Sequence, residues 1–165
     1  MKIIALSDTH MPRMAKSLPG RLVEELKDAD YILHAGDWQT MDVYEELKKF
    51  APVDGVCGNV DSGELVGKFG LQKVRTFEDF RIGIVHGHGK KGTTEQRALA
   101  AFADEEVDLI LFGHSHIPLL KEVNGILLLN PGSPTDKRWQ EHYSFAIIRL
   151  GSEMAVEHVF YSSKL

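Results

Sequence analysis

Short apolar runs in this chain end in small or polar residues, each followed by a side chain that is able to bind a metal ion. The pattern occurs in five segments: Asp8-Thr9-His10, Gly36-Asp37, Gly58-Asn59-Val60-Asp61, His86-Gly87-His88 and Gly113-His114-Ser115-His116. In extended chain, residues two apart project to the same side. Asp8 with His10, and His114 with His116, can therefore direct two donors each toward one place.

The donor atoms of these segments are carboxylate and amide oxygens and imidazole nitrogens. Such a set suits Mn, Fe, Zn, Ni or Co, whereas an all-oxygen set would indicate Mg or Ca. The candidate metal ligands are Asp8, His10, Asp37, Asn59, His86, His114 and His116. They are too many for one tetrahedral ion and suit two ions that share a carboxylate. A lone histidine at a strand end is more often structural, so the prediction depends on the joint occurrence of these segments.

The apolar runs before these segments predict buried strands, and ligands of α/β folds bind beyond the carboxyl ends of strands. We expect strands over 3–6, 31–35, 53–57 and 108–112, with helices beginning at Ser17 or Leu18 and at Thr40. The strands over 3–6, 31–35 and 53–57, with the two helices between them, make the N-terminal half a βαβαβ unit. We predict an α/β fold with mixed sheets because the remaining strands are joined mostly by hairpins.

Sequence patterns typical of turns and helix caps predict the elements in the second half of the chain. A hairpin is predicted over 71–77 and 80–85. Thr93 to Gln96 has the pattern of a capping box and predicts a helix that continues to about Glu106. Asn124-Gly125 indicates a type I′ hairpin, and Gly151-Ser152 indicates another.

Length and composition favour one soluble globular domain over residues 1–165. The chain is 43% hydrophobic and 26% charged, with 19 basic and 24 acidic residues and hence a net charge of −5. This acidity argues against binding of long nucleic acid. The single cysteine, Cys57, suits a reducing compartment, and no apolar run is long enough for a signal peptide or membrane span. We therefore expect a cytoplasmic protein without membrane contact, whose homo-oligomeric state stays open.

The five segments, taken in order, resemble the motifs of the calcineurin-like metallophosphoesterase superfamily. The resemblance runs from residue 3 to about residue 135, and the size is similar to that of the small prokaryotic phosphodiesterases. It implies a four-layer α/β/β/α sandwich of two mixed β-sheets flanked by helices.

The resemblance also implies roles for the candidate ligands. A first metal ion would be held by Asp8, His10, Asp37 and His116, and a second by Asp37, Asn59, His86 and His114. Asp37 would bridge the two ions, and a hydroxide between them would attack phosphorus in line. We expect two divalent ions, manganese before nickel, iron, zinc, cobalt or magnesium.

Two positions depart from the family pattern. Val60 stands where many relatives have a histidine that can protonate the leaving group. His88 is our candidate general acid in its place, with a solvent-facing loop histidine as the alternative.

Met11-Pro12-Arg13 replaces a glycine that relatives often carry. Arg13 and Asn59 are candidate substrate-binding residues, although a surface arginine without a role is the commoner case.

The leading hypothesis is a binuclear-metal phosphodiesterase that acts on a small phosphate ester. The alternative is a non-catalytic scaffold or interaction module on the same fold, such as the retromer's small subunit, which resembles this family. Retention of all seven donors favours the enzyme. A nuclease is a third hypothesis, restricted by the net charge to short oligonucleotides or cyclic nucleotides.

Overall fold

Two five-stranded β-sheets form the centre of the fold in a computed structural model that describes all 165 residues. The elements are, in chain order, β1 (Lys2–Leu6), α1 (Gly20–Leu26), β2 (Tyr31–His34), α2 (Met41–Leu47), β3 (Val53–Gly55), α3 (Glu64–Phe69), β4 (Gln72–Phe77), β5 (Phe80–Val85), α4 (Thr94–Ala101), β6 (Leu109–Leu111), β7 (Leu119–Val123), β8 (Ile126–Asn130), β9 (Tyr143–Leu150) and β10 (Met154–Tyr161).

Both sheets are mixed. The first has the strand order β10-β9-β1-β2-β3, in which β1, β2 and β3 are parallel and β9 pairs antiparallel with β1 and β10. The second has the order β4-β5-β6-β8-β7, with a parallel centre of β5, β6 and β8 and antiparallel edges. Helices α1 and α2 connect the parallel strands of the first sheet, and α4 connects β5 to β6. Tight turns join the antiparallel pairs β4–β5, β7–β8 and β9–β10.

The sheets pack face to face, and helices cover their outer faces. Along β1, Ile3 and Ala5 contact the second sheet, whereas Ile4 and Leu6 pack under α1 and α2. A strand buried on both faces must be apolar throughout, which explains the continuous run in β1. Helix α4 packs Ala98 against the outer face of the second sheet. The predicted four-layer α/β/β/α arrangement is confirmed.

Several predicted boundaries differ from the structure. Helix α1 begins at Gly20, later than Ser17 or Leu18, because Pro19 occupies the cap position with extended backbone. Helix α4 ends at Ala101 instead of about Glu106, since tighter turns follow it from Phe102. Strand β3 ends at Gly55, after which the chain turns toward the site.

Helix α3 was absent from the sequence-based expectation. Its six residues are too few to show a helical period, and glycines at both ends, Gly63 and Gly70, have positive φ of 57° and 71°. It nevertheless buries Leu65 and Phe69, spaced four apart on one face.

The capping box at Thr93 and Gln96 is confirmed. None of the helices combines the length and hydropathy that a membrane crossing requires.

Candidate metal centre

The predicted ligands follow the carboxyl ends of parallel strands in both sheets. Asp8 and His10 follow β1, Asp37 follows β2, and Asn59 lies beyond β3, all in the first sheet. The second sheet contributes His86 after β5 and the pair His114 and His116 after β6. Because the parallel strands of both sheets end at the same edge of the sandwich, residues far apart in sequence meet there.

The first cluster consists of Asp8, His10 and His116, all buried. The Nε2 atoms of His10 and His116 lie 3.8 and 3.5 Å from Asp8 Oδ1, and their rings stack with centroids 5.2 Å apart. Neither Nε2 atom has a hydrogen-bond partner. A buried imidazole nitrogen without a partner is costly unless something binds it, so this cluster fits a cation.

The second cluster consists of Asp8, Asp37 and His86. His86 Nε2 lies 2.9 Å from Asp8 Oδ1 and 3.4 Å from Asp37 Oδ2. Asp37 Oδ2 is also 3.6 Å from His10 Nε2, which places this carboxylate between the two clusters. Asp8 contributes to both clusters, whereas the family resemblance assigned it to the first ion alone.

A backbone carbonyl fixes the orientation of His116. Its Nδ1–H donates a 2.6 Å hydrogen bond to the carbonyl oxygen of Asp136. The proton is therefore on Nδ1, and the Nε2 lone pair faces the cluster. Outer hydrogen bonds of this kind are typical of metal-binding histidines.

Backbone strain is concentrated at the candidate ligands. Five of them have positive φ although they are not glycines, namely Asp8 (57°), His10 (44°), Asp37 (58°), His114 (70°) and His116 (63°). This left-handed region is uncommon for residues with a Cβ, and such strain clusters at functional sites. The strained backbone turns each side chain toward the common centre.

Two glycines allow the ligand loops to approach one another. A Cβ on Gly58 would lie 2.1 Å from Asp37 Oδ1, and one on Gly113 would lie 1.9 Å from Ser7 Oγ. Both contacts are far shorter than van der Waals contact. Any other residue at either position would therefore displace a carboxylate or its hydrogen-bond partner.

Charge at the centre is balanced between two carboxylates and several imidazoles. Burial alone would raise the pKa of Asp8, but hydrogen bonds from His86 and Ser7 and nearby imidazoles hold it well below its usual range. Burial raises the pKa of Asp37. Burial, together with His86, lowers the pKa of His114 to about 4, so this imidazole is neutral near pH 7. The pKa of His86, by contrast, is raised despite its burial, because the Asp8 carboxylate favours the protonated imidazole, so an ion bound here would have to displace that proton.

Asp61 positions the loop of Asp37 and does not face the clusters. Its carboxylate accepts hydrogen bonds from four backbone N–H groups, those of Asp37, Trp38, Gln39 and Gly58, at 2.8–3.3 Å. The backbone N–H of Val60 in turn donates to Asp37 Oδ1 at 3.0 Å. The Gly58–Asp61 segment therefore fixes Asp37 through backbone contacts.

The remaining predicted site residues lie at the rim. His114 is half-buried with its ring 5.2 Å from that of His86, and the ring of His88 lies 6.4 Å from that of His114. Asn59 lies in an exposed turn. Arg13 is exposed, and its backbone N–H donates to Gln39 Oε1.

Sequence reasoning missed the role of His34 and of the loop after β8. His34 is buried and stacks on Trp38 with ring centroids 3.9 Å apart. Its Nδ1 accepts from the Gly36 N–H, so its Nε2–H faces Thr9 Oγ1 at 3.1 Å. In the loop, Ser133 Oγ donates to the carbonyl oxygen of Asp8 at 2.7 Å. Only the Asn130–Pro134 run, which resembles a loop near the family's site, hinted at this contact.

Comparisons with known proteins agree with this geometry. A model of the calcineurin-like phosphoesterase superfamily domain matches residues 1–153. A probable metallophosphoesterase of Methanothermobacter thermautotrophicus is 35% identical over 158 residues, which are 93% of this chain and 88% of that protein. The chain therefore belongs to the calcineurin-like phosphoesterase superfamily, and its class is that of a metal-binding hydrolase.

Two solved structures show the same fold at low sequence identity. Vps29 of Chaetomium thermophilum has a TM-score of 0.79 and 21% identity, with 98% of both chains covered. An archaeal phosphodiesterase has a TM-score of 0.73 and 22% identity, covering 98% of this chain and 100% of the other. One fold thus accommodates proteins with different names, so the function of this chain must be argued from its site.

Proposed function

We propose that this protein is a phosphodiesterase that uses two divalent metal ions, manganese before the other candidates, to hydrolyse a small phosphate ester. The unpaired Nε2 atoms of His10 and His116, buried beside Asp8, carry the proposal. Membership of the family and the 98% coverage of a structure named as an archaeal phosphodiesterase support it.

The chain's own residues would prepare the site for the ions. The first ion would be held by Asp8, His10, Asp37 and His116, and the second by Asp37, Asn59, His86 and His114. When bound, two such ions supply a water of lowered pKa and positive charge against the phosphoryl oxygens. The carbonyl of Asp136 keeps His116 in the tautomer that coordinates.

A diester is the proposed substrate because one common proton donor is absent. Val60, where many relatives have histidine, is 42% exposed and offers only its backbone N–H, which is bonded to Asp37. His88 is the proposed general acid, since it is half-buried and its Nδ1 lies 3.2 Å from Nδ1 of His86, a member of the second cluster. Arg13 and Asn59, both exposed at the rim, are the proposed substrate contacts. We place the enzyme in the cytoplasm.

Hydrolysis of bis-p-nitrophenyl phosphate tests the proposal directly. Wild type with Mn²⁺ should release p-nitrophenolate, and Asp37→Asn should lose at least about 100-fold in rate because it removes the carboxylate between the clusters. Asp104→Asn changes an exposed carboxylate away from the site and serves as the matched control. Equal rates for wild type and Asp37→Asn, or activity without metal, would refute the proposed function.

A scaffold on the same fold is the second candidate, because structures of Vps29 are among those with the same fold. Curated relatives that are named probable metallophosphoesterases rank the scaffold second. Metal binding alone does not separate the two candidates, since one solved structure of Vps29 contains Zn²⁺. Metal-dependent hydrolysis of bis-p-nitrophenyl phosphate does: turnover with Mn²⁺ would support the enzyme, and bound metal without turnover would favour the scaffold.

A further inference from the structure

The segment that follows β10 contacts the two loops that support the first cluster. Its Tyr161 hydroxyl donates a 2.6 Å hydrogen bond to the carbonyl oxygen of Pro134. Three residues further on, the Lys164 ammonium donates to the carbonyl oxygens of Met14 and Thr135. The family match ends at residue 153, so these contacts come from a part of the chain outside that match.

The ammonium of Lys164 links two loops that are distant in the sequence. Met14 follows β1, whereas Thr135 follows β8. The lysine is half-buried, and its Nζ also lies 5.6 Å from the centre of the Tyr143 ring. An ammonium has three N–H donors and is attracted to the face of an aromatic ring, so one lysine can hold two carbonyls and a ring together.

The contact with Met14 supports His10. The Met14 N–H donates to the carbonyl oxygen of His10 at 2.7 Å, which closes a turn between the two residues. The backbone of His10 has a positive φ of 44° and therefore depends on neighbours that hold it in this conformation. Because Lys164 binds the carbonyl of Met14, loss of the ammonium should loosen the turn that fixes His10.

The contact with Thr135 supports His116. Thr135 Oγ1 donates to the carbonyl oxygen of Thr9, beside His10. The carbonyl oxygen of the next residue, Asp136, accepts from His116 Nδ1 and so determines which nitrogen of His116 faces the cluster. Lys164 thus binds the residue adjacent to the one that orients His116.

We propose that Lys164 is a positioning residue for the first metal ion, because it fixes the two loops that hold His10 and His116. The Nε2 atoms of these two histidines have no hydrogen-bond partner and lie 3.8 and 3.5 Å from Asp8 Oδ1. Their separation decides whether both can bind one ion. This inference rests on the proposed two-metal function and states how one of its two ion sites is held.

The second cluster has separate supports. Asp61 holds the loop of Asp37 through backbone N–H groups, and His86 Nε2 lies 2.9 Å from Asp8 Oδ1. The two carbonyls that Lys164 binds belong to neither the loop of Asp37 nor that of His86. We therefore expect Lys164 to act on the first ion and to leave the second nearly unchanged. A residue that only stabilised the fold would affect both ions alike.

Titration of the intact protein with Mn²⁺ tests the inference, with the free ion measured by electron paramagnetic resonance. Wild type should bind two ions, and His116→Gln identifies the binding step that belongs to the first. Lys164→Met should weaken the first ion about ten-fold or more and leave the affinity for the second within about two-fold. Lys164→Arg keeps several N–H donors and should restore most of the affinity for the first ion.

Lys137→Met is the matched control. Lys137 lines the same cavity as Lys164, and its Nζ lies 5.7 Å from the same Tyr143 ring. Its hydrogen bond, 3.4 Å to the carbonyl oxygen of Gln140, lies within its own loop, so this variant should bind both ions as the wild type does. Should Lys164→Met not fold, Lys164→Gln retains an NH₂ donor and should show the same selective loss.

Two results would overturn the inference while wild type still binds two ions and hydrolyses bis-p-nitrophenyl phosphate. One is an affinity of Lys164→Met for the first ion equal to that of the wild type. The other is an equal loss for both ions together with a lower Tm without metal, which would reduce Lys164 to a general stabilising contact. In both cases the proposed phosphodiesterase stands. A wild type that binds no Mn²⁺ would instead contradict the proposed function and this inference with it.

Discussion

At the residue scale, several side chains near the centre act by holding the ligands. Asp61, His34 and Ser133 bind backbone groups of the ligand loops. The strained backbone at Asp8 and Asp37 needs such support, because each left-handed residue with a Cβ costs of the order of 1–3 kcal/mol. Changes at these supporting residues should therefore alter both stability and metal affinity.

Asp61→Asn should destabilise the loop of Asp37. Four backbone N–H groups lose an anionic acceptor, and the amide turns an NH₂ group toward donors. We expect a loss of about 2–3 kcal/mol in the free energy of unfolding and metal affinity lowered about ten-fold or more. Urea unfolding and metal titration measure the two effects, with Asp104→Asn as control. Unchanged metal affinity would show that Asp61 does not position Asp37.

The buried imidazole of His34 should make the stability of the metal-free protein depend on pH. Burial lowers the pKa of the His34 imidazole from 6.5 to about 3. As pH falls, the imidazole is therefore protonated in the unfolded chain at a higher pH than in the folded chain. The contribution to stability is complete above pH 6.5 and is lost as pH falls toward 3, at up to about 1.4 kcal/mol per pH unit. His34→Asn keeps an acceptor for the Gly36 N–H and should give a flatter profile in urea unfolding between pH 7 and 4. The same dependence of stability on pH in wild type and His34→Asn would show that His34 is not the source of this dependence.

At the element scale, most strands and the capping box were predictable because their signals are local. The run in β1, the Asn124-Gly125 turn and the Thr93 cap each reflect one physical preference. Helix α3 was not predictable from the sequence, since it is short and its burial depends on neighbours distant in sequence. The ligand set was named from its strand-end spacing, whereas the contact of Asp136 with His116 joins residues twenty apart and leaves no local pattern.

Thr93→Ala should weaken helix α4 through loss of its cap. Thr93 Oγ1 accepts from the Gln96 N–H, and Gln96 Oε1 accepts from the Thr93 N–H. Loss of a cap costs about 1 kcal/mol, which for a domain of this size lowers Tm by about 2–4 °C. Thr93→Ser retains the hydroxyl and should have a Tm close to that of the wild type in calorimetry. An equal loss in both variants would show that the methyl group, not the cap, matters.

At the scale of the whole molecule, the metal centre joins the two sheets. Asp8, His10 and Asp37 come from the first sheet, and His86 and His116 come from the second. Without an ion, two adjacent buried carboxylates and two unpaired imidazole nitrogens remain at this junction. An ion bound there stabilises only the folded chain, because unfolding separates its ligands.

Mn²⁺ should therefore raise the thermal stability of the intact protein. At about 100 times the dissociation constant, binding adds about 2.7 kcal/mol, or roughly 5–10 °C in Tm. The double variant His10→Gln and His116→Gln should lose most of this shift, since the unpaired Nε2 atoms are gone. His142→Gln changes an exposed histidine outside the clusters and should keep the full shift. Calorimetry with Mn²⁺ and with a chelator compares the three proteins. The same shift in the double variant would place the stabilising ion elsewhere and remove the main support for the assigned ligands.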